Sequence, residues 1–310
     1  MKNVTKILTV VTLCATLFGS AQRIEALGGN AALWPGDEAN IAAFPAQVNN
    51  HGYVQLSDVG TASENANGSV GMVFQKDATT WGFNYGDNDD WVSMSWGNGS
   101  MGVSVALESK TGADASGDAS DMSVSYGNSF DWGEIGVHYA TTDNGDGDAT
   151  LGFNYRTDFG FWIFDNTVAS IGDLMADDLA IDADFFTHMD AGGADVVYGW
   201  GFGYNGAEGG TTLSQSATVG IEANMTDWAT LRAGYNWSHE LACDSADDSC
   251  GANTSGFAWG LGFNWGGLTA DFTVDSSLLL DPVGTITGNN DHGTTYGGLT
   301  DSAITLTYSF

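Results

Sequence analysis

The chain has 310 residues and holds 39 Asp and Glu against 7 Lys and Arg, so its formal net charge is −32 at pH 7. This excess of negative charge makes nucleic acid and anionic membrane surfaces poor partners. A soluble protein from a high-salt organism is equally acidic, so charge alone does not separate a soluble protein from a membrane protein.

The first 21 residues have the pattern of a secretory signal peptide. Lys2 and Lys6 precede an apolar run at 7–18, and small residues follow up to Ala21. This order predicts export and cleavage after Ala21. The run is too short for a spanning helix, and no other stretch approaches 18 apolar residues. If the chain lies in a membrane, it is therefore predicted to cross it as a β-barrel, because lipid offers backbone groups no other partners.

Residues 22–50 lack the alternation of the later chain and form a predicted segment of their own. Gly28-Gly29 permits a tight turn, and Pro45 favours an extended backbone at Phe44. The apolar side chains of this segment are too few for a separate core, so we expect them to dock on the rest of the protein. They are Leu33, Trp34, Ile41 and Phe44.

The same stretch resembles the N-terminal segment of FadL-like and PorV-like outer-membrane barrels. In that family a Gly-Gly pair, an acidic residue and an Asn-Pro-Ala-type step precede the first strand. Gly28-Gly29, Asp37 and Pro45-Ala46 match in order, whereas Phe44 stands where Asn is usual. The resemblance implies a hatch that folds into the barrel from the periplasmic side. It also implies transport of hydrophobic compounds or a role in secretion.

From residue 51 to the end, apolar and polar residues alternate in successive segments, which is typical of β-strands with one apolar face. The predicted fold is an all-β, antiparallel, up-and-down transmembrane barrel at 51–310. Sixteen strands are predicted, an even number as in bacterial single-chain barrels. Fourteen is the alternative, because the pattern at 165–190 is weak. The strands are predicted at 52–59, 68–76, 79–86, 90–97, 100–108, 119–128, 132–141, 148–156, 158–169, 178–188, 194–205, 211–223, 227–239, 254–265, 267–276 and 302–310.

The charged residues of these strands share the parity opposite to the aromatic residues, except Lys76, which lies at a predicted turn where its side chain can reach the polar boundary. A cation facing lipid at the bilayer midplane costs roughly 2–4 kcal/mol, so the charges are predicted to face the lumen. Short and long connections also alternate, as periplasmic turns and extracellular loops do. An ordinary half-buried sheet shows the same parity, so this pattern alone leaves a soluble sandwich as the alternative.

A short pattern recurs along the chain as WGFNY, LGFNY, AGYNW and LGFNW. The spacing of its copies is too irregular for a solenoid or propeller. Its aromatic residues are predicted to face outward and its asparagines inward. These asparagines are Asn84, Asn154, Asn236 and Asn264.

Four charged residues are predicted to meet inside the barrel near its periplasmic end. They are Arg156, Arg232, Glu134 and Glu222. Our hypothesis is that they form paired lumen charges that also receive an acid of the hatch. The candidates for that acid are Glu25, Asp37 and Glu38. The alternative is that each arginine pairs only with its neighbouring strand.

Cys243 and Cys250 enclose the segment CDSADDSC. An exported chain meets an oxidising compartment, which predicts a local disulfide between them. The aspartates of this segment are an alternative cation site. The acidic stretches 112–121 and 143–148 resemble Ca²⁺ loops in composition, but neither fits the EF-hand spacing. No metal site and no cofactor is therefore predicted.

The chain ends on a strand, SAITLTYSF, with Tyr308 and Phe310 on its apolar face. It resembles the closing strand of bacterial outer-membrane barrels, in which a terminal Phe follows an aromatic residue two positions earlier. The resemblance implies recognition by the barrel-assembly machinery and contact with outer-membrane lipid and lipopolysaccharide. Localisation in a bacterial outer membrane is the corresponding expectation.

Enzyme activity is not predicted. His138 shares the inward parity of Glu134, four residues away on the same predicted strand, but a Ser/His/Asp arrangement needs positioned partners that sequence alone does not provide. Two functions remain. The barrel is predicted to be a porin-like or FadL-like channel or transporter for small or hydrophobic solutes, with an acidic lumen that favours cations. The alternative is a non-conducting structural or interaction barrel with a plugged lumen. The solute and the oligomeric state stay open.

Overall fold

The computed structural model describes residues 21–59, 68–86, 92–110, 119–141, 149–176, 179–207, 210–243, 253–274 and 303–310. They form two short α-helices, α1 (Ala21–Ala26) and α2 (Asn40–Ala43), and two 3-10 turns, Ala31–Leu33 and Pro45–Asn50. Within these residues no helix is long and apolar enough to cross a membrane.

Sixteen β-strands follow the helices. They are β1 (Tyr53–Val59), β2 (Ser69–Lys76), β3 (Thr79–Gly86), β4 (Val92–Gly97), β5 (Met101–Lys110), β6 (Ala119–Phe130), β7 (Gly133–Thr141), β8 (Ala149–Thr157), β9 (Asn166–Ile171), β10 (Ala180–Asp190), β11 (Ala194–Ala207), β12 (Gly210–Thr226), β13 (Ala229–Cys243), β14 (Asn253–Trp265), β15 (Leu268–Val274) and β16 (Ile304–Ser309).

The strands close into a single antiparallel barrel in which each strand pairs with its neighbours in sequence. β1 and β16 complete the ring, with Tyr53 opposite Ser309 and Leu56 opposite Leu306. The predicted all-β, up-and-down, sixteen-strand barrel is confirmed, and the fourteen-strand alternative is wrong. Closure leaves no unpaired sheet edge, which is the condition that a lipid environment imposes on a spanning sheet.

The ninth strand departs most from its predicted bounds, which were 158–169. Residues 158–165 instead form an irregular connection in which the Phe164 N–H donates to the Phe161 carbonyl. Trp162 adopts a φ of 58°, which interrupts an extended strand. The segment DFGFWIFD is almost continuously apolar and does not alternate between apolar and polar residues. Its sequence therefore did not support a strand with one apolar and one polar face.

The two faces of the wall differ in accessibility as the alternation predicts. In β3, Phe83 and Tyr85 are 38% and 49% exposed, whereas the intervening Asn84 is 4% exposed. The buried charged residues of the described strands all lie at inward-facing positions. They include Glu134, Arg156, Arg232 and Asp271. Among the described residues, apolar side chains thus cover the outside of the barrel, and most side chains that line the lumen are polar or charged, beside a smaller set of buried apolar ones.

The connections divide the barrel into two ends. At the end we call the short-turn end, six of the seven connections have two or three residues, and the seventh is 158–165. The connections at the opposite, long-loop end are mostly longer, up to the span 275–303 between β15 and β16. The chain enters β1 at the short-turn end, beside the terminal Phe310, whose N–H donates to the Gly52 carbonyl.

Candidate functional site

Residues 21–50, which we call the N-terminal segment, lie inside the barrel and contact all sixteen strands. Hydrogen bonds join the segment to β1, β2, β5, β7, β8, β10, β12, β13 and β16. Side-chain or backbone packing joins it to β3, β4, β6, β9, β11, β14 and β15. A segment that touches the whole circumference crosses the lumen rather than lining one side of it.

An apolar cluster docks one half of the segment on the lumen wall. Ile24, Leu27, Leu33, Trp34 and Ala39 are buried against three inward-facing wall residues. These are Val168 of β9, Phe186 of β10 and Val197 of β11. These apolar side chains of the segment are therefore removed from water by packing on the lumen wall, as expected from the sequence.

Glycines of the wall bring the segment's backbone into direct contact with the strands. A Cβ atom at Gly102 of β5 would overlap the Pro45 carbonyl, and one at Gly136 of β7 would overlap the Ala43 carbonyl. On the opposite wall, a Cβ atom at Gly234 of β13 would overlap the backbone between Leu27 and Gly28. These contacts involve backbone atoms, which cannot move away by a change of side-chain rotamer. The segment is therefore held at a fixed depth in the lumen.

Two asparagines of the recurring Gly-x-Asn pattern also hold the segment. Asn154 of β8 donates to the Ala43 carbonyl at 3.2 Å, and Asn236 of β13 donates to the Gly28 carbonyl at 3.2 Å. His138 of β7 makes a second bond to the Ala43 carbonyl at 3.0 Å, and its other ring nitrogen lies 2.8 Å from the Ser125 hydroxyl. These two inward asparagines therefore anchor the segment, a role that strand composition alone did not indicate.

The predicted lumen charges form two separate groups. In the first, the Nε atom of Arg156 lies 2.5 Å from Glu134, its opposite residue on β7. Arg156 also donates to the Asn40 side chain at 2.8 Å, and Gln47 donates to Glu134 at 2.5 Å. The guanidinium lies 4.5 Å from the centre of the Phe44 ring. This pair therefore joins β7 and β8 to the second half of the N-terminal segment.

The second group is a chain of ion pairs on β12, β13 and β15. Arg232 donates to Glu222 at 2.6 Å and to Asp271 at 2.5 Å. Glu222 also accepts from Arg23 at 2.9 Å, and Arg23 pairs in turn with Asp37. The lumen wall and the N-terminal segment thus share one charge network.

The structure refines the hypothesis of a shared cluster. Each wall arginine pairs with the carboxylate opposite it on the adjacent strand, and Asp37 binds Arg23 of its own segment. Glu25 is exposed. Sequence reasoning missed Arg23 and Asp271 as members. Their signal was weak, because Arg23 is a single cation in an irregular segment and Asp271 is one of many inward acids.

The other residues of the predicted hatch, Gly28, Gly29, Phe44 and Pro45, also lie in the N-terminal segment inside the barrel. Gly28 and Gly29 have φ values of 102° and 84°, which L side chains rarely adopt, so the pair turns the chain after α1. Phe44 and Pro45 are buried at the junction of α2 and the second 3-10 turn. The turn at Gly28-Gly29 therefore agrees with the tight turn that the two glycines predict.

Two cavities flank the N-terminal segment. One, of about 440 Å³, lies at the short-turn end, and its lining includes Asp37, Glu38 and Asp271. The other, of about 380 Å³, lies towards the long-loop end, and its lining includes Asp182 and Asp184. Carboxylates therefore face the described space on both sides of the segment, as the acidic-lumen prediction requires.

Glu38 gives the segment a predicted pH dependence. Burial, together with the adjacent Asp37 carboxylate, raises the pKa of Glu38 from its ordinary 4.5 to about 7. The docked segment then binds more protons than the undocked one, so docking is strongest below about pH 4.5 and weakens as pH rises towards about 7. We expect hydrogen exchange of residues 21–50 to be faster at pH 8 than at pH 5.5, after correction for intrinsic rates.

The matched variants for this pH effect are Glu38→Gln and Glu25→Gln. Glu38→Gln removes the titrating group and should flatten the dependence, whereas Glu25→Gln, at an exposed position, should retain it. A Glu38→Gln protein with the wild-type dependence would contradict the assignment to Glu38.

Other predicted sites are only partly within the described residues. Cys243 ends β13, but Cys250 lies outside the described residues, so the disulfide stays a prediction. The acidic stretch 143–148 and most of 112–121 also lie outside them. Tyr308 and Phe310 are 50% and 66% exposed at the end of β16. Within the described ranges, no group of His, Cys, Asp and Glu is arranged to hold a metal ion.

Comparisons with known proteins add a remote fold likeness. The structure is similar to OmpT (in-vitro folded), an outer membrane protein of Vibrio cholerae, with a TM-score of 0.28 and 15% sequence identity. The match covers 69% of this chain and 75% of that chain. No protein-family model and no curated protein sequence matches the chain.

Proposed function

We propose that the protein is an outer-membrane transport barrel that its N-terminal segment keeps closed at rest. The observation that carries the proposal is the contact of residues 21–50 with all sixteen strands. A segment in that position blocks free diffusion, so a solute passes only when the segment moves. The FadL-like and PorV-like resemblance of the segment, with its hatch role, supports the same reading.

Both cavities carry more carboxylates than cationic side chains, which favours small cationic solutes, although Arg23 and Arg232 offset part of the negative charge in the short-turn cavity. Asp182 and Asp184 lie on one side, and Asp37, Glu38 and Asp271 lie on the other. A carboxylate-lined path attracts cations and repels anions. The proposed solute class is therefore small and cationic, in preference to the hydrophobic compounds that the family resemblance alone implies.

Planar-bilayer conductance tests this function. We expect mature, folded wild-type protein to show few or no openings, because the segment fills the lumen. A variant that lacks residues 22–50 should conduct steadily and select cations over anions by its reversal potential. Large, steady wild-type openings would contradict closure at rest, and a silent deletion variant of verified barrel content would contradict transport through the lumen.

A second candidate is a non-conducting structural or interaction barrel. The backbone contacts at Gly102, Gly136 and Gly234 favour it, because they hold the segment firmly. Wild-type protein that stays closed at every voltage and at pH 8, while the deletion variant conducts, would support this candidate over the gated transporter.

The setting follows from the outward surface. Apolar side chains on the outer face fit contact with outer-membrane lipid and lipopolysaccharide, and Tyr308 and Phe310 fit recognition by the barrel-assembly machinery. We propose no enzyme activity. Ser125 and His138 are both buried beneath the N-terminal segment, and His138 contacts its backbone, which fits an anchoring role for the pair.

A further inference from the structure

The connection between β8 and β9, residues 158–165, differs from every other connection at the short-turn end. It has eight residues where the six others have two or three. Its middle reads FGFWIF between Asp158 and Asp165. Four of its apolar side chains are exposed: Phe159 at 71%, Phe161 at 58%, Trp162 at 84% and Ile163 at 49%.

This connection folds back against the outside of the barrel. The Phe161 ring lies 5.3 Å from the ring of Phe185, and the Phe164 ring lies 5.8 Å from that of Tyr198. Phe185 neighbours Phe186, whose side chain is buried inside with the N-terminal segment, so Phe185 points outward. Thr187 also has outward parity, yet it is only 4% exposed and donates to Asp165.

Hydrogen bonds hold both ends of the connection in place. The Phe159 N–H donates to the Thr157 hydroxyl at 3.2 Å, and the Thr167 hydroxyl donates to the Phe159 carbonyl at 2.7 Å. The Asp165 N–H donates to the Phe186 carbonyl at 3.2 Å. The exposed apolar tip is thus presented by a fixed scaffold.

The backbone of the tip is strained at its most exposed residue. Trp162 has a φ of 58°, a conformation that is rare for a bulky side chain. Residues held in such conformations persist where the surrounding structure imposes them, and they cluster at functional positions. An exposed tryptophan that is held in this unfavourable backbone conformation is well placed to contact an apolar or amphipathic surface.

We propose that residues 159–163 insert into the headgroup boundary of the inner leaflet of the outer membrane and anchor the barrel at its short-turn end. The tip is continuous with the outward apolar surface of β10 and β11, which faces lipid in a membrane barrel. Other aromatic residues at the same end are also exposed; they include Trp132, Trp228 and Trp265. Tryptophan favours this boundary because its ring is apolar and its N–H is polar.

Depth-dependent fluorescence quenching tests the proposal. The mature chain is folded into vesicles of phosphatidylcholine that carries bromine either close to the headgroup or close to the chain end. The difference in emission between wild type and Trp162→Phe isolates the Trp162 signal. We expect bromine near the headgroup to quench this signal roughly twofold more than deep bromine, because interfacial tryptophan sits at headgroup level. Iodide in the water should have little effect.

Trp34→Phe is the matched control, because Trp34 is buried in the lumen and its signal should resist both quenchers. If Trp162→Phe does not fold, Trp162→Tyr keeps an aromatic ring at the position and gives the same difference signal. A Trp162 signal quenched by iodide and not by brominated lipid would place the tip in water and overturn the proposal. A signal that resists both quenchers would place the tip against protein, such as a second copy of the chain, and would overturn it as well.

Discussion

Replacing Gly102 and Gly234 together by alanine is expected to release the N-terminal segment from the lumen wall. The new Cβ atoms would overlap the Pro45 carbonyl on one wall and the Gly28 backbone on the other. Overpacking typically costs about 1–3 kcal/mol per site, and here backbone atoms on both sides prevent an easy adjustment. The segment should lose a large part of its docking free energy while the barrel remains folded, since alanine suits a strand interior better than glycine.

The measurement combines conductance with limited proteolysis of the folded double variant. We expect steady openings and cleavage within residues 21–50, both absent from the wild type. Gly71→Ala is the matched control, because Gly71 also faces inward on β2 and its nearest neighbours lie in ordinary contact at 3.6–3.7 Å. A double variant that stays closed and protected would show that the segment is not held by these backbone contacts.

Replacing Arg156 by methionine is expected to destabilise the protein by about 3–5 kcal/mol, the usual cost of removing one partner of a buried ion pair. Glu134, 8% exposed, would lose its cationic partner and retain Gln47 as a side-chain donor. The Asn40 side chain would also lose the donor that ties it to β8. The effect should appear as a lower denaturant midpoint and as weaker protection of the N-terminal segment.

A second substitution separates the loss of the pair from an unspecific effect. Glu134→Gln added to Arg156→Met removes the uncompensated charge, so the double variant should recover part of the lost stability. Lys76→Met, at the exposed end of β2, is the control and should change stability by less than about 0.5 kcal/mol. An Arg156→Met protein with wild-type stability and conductance would refute a role for this pair in docking the segment.

The bounds of a strand were most predictable where one face of the strand is apolar and points outward while the other is polar and points into the lumen. β3 and β14 alternate without interruption, so their predicted ends fall within one or two residues of the observed ones. At 158–165 the apolar residues are consecutive, and periodicity carries no information about which face they occupy. Only the packing of Phe161 and Phe164 on the outer wall decides the course of that segment.

The candidate site was less predictable than the fold. Inward parity placed Arg156 and Arg232 in the lumen, and antiparallel neighbours supplied Glu134 and Glu222. The roles of Arg23 and Asp271 needed the three-dimensional arrangement, because the ion pair between Arg23 and Glu222 joins residues 199 positions apart. Likewise, a glycine in a strand predicts that another group approaches its backbone closely, but the sequence does not indicate that Gly28 is the group that approaches Gly234.

The sequence by itself determined the all-β class, the sixteen-strand count and the inward direction of the charges, because alternation at period two is a local property that one strand reveals alone. The tertiary structure decided the position of residues 21–50, the division of the lumen charges into two groups and the outward course of 158–165. These features depend on which distant surfaces meet once the ring closes, and closure brings together residues that no local pattern relates.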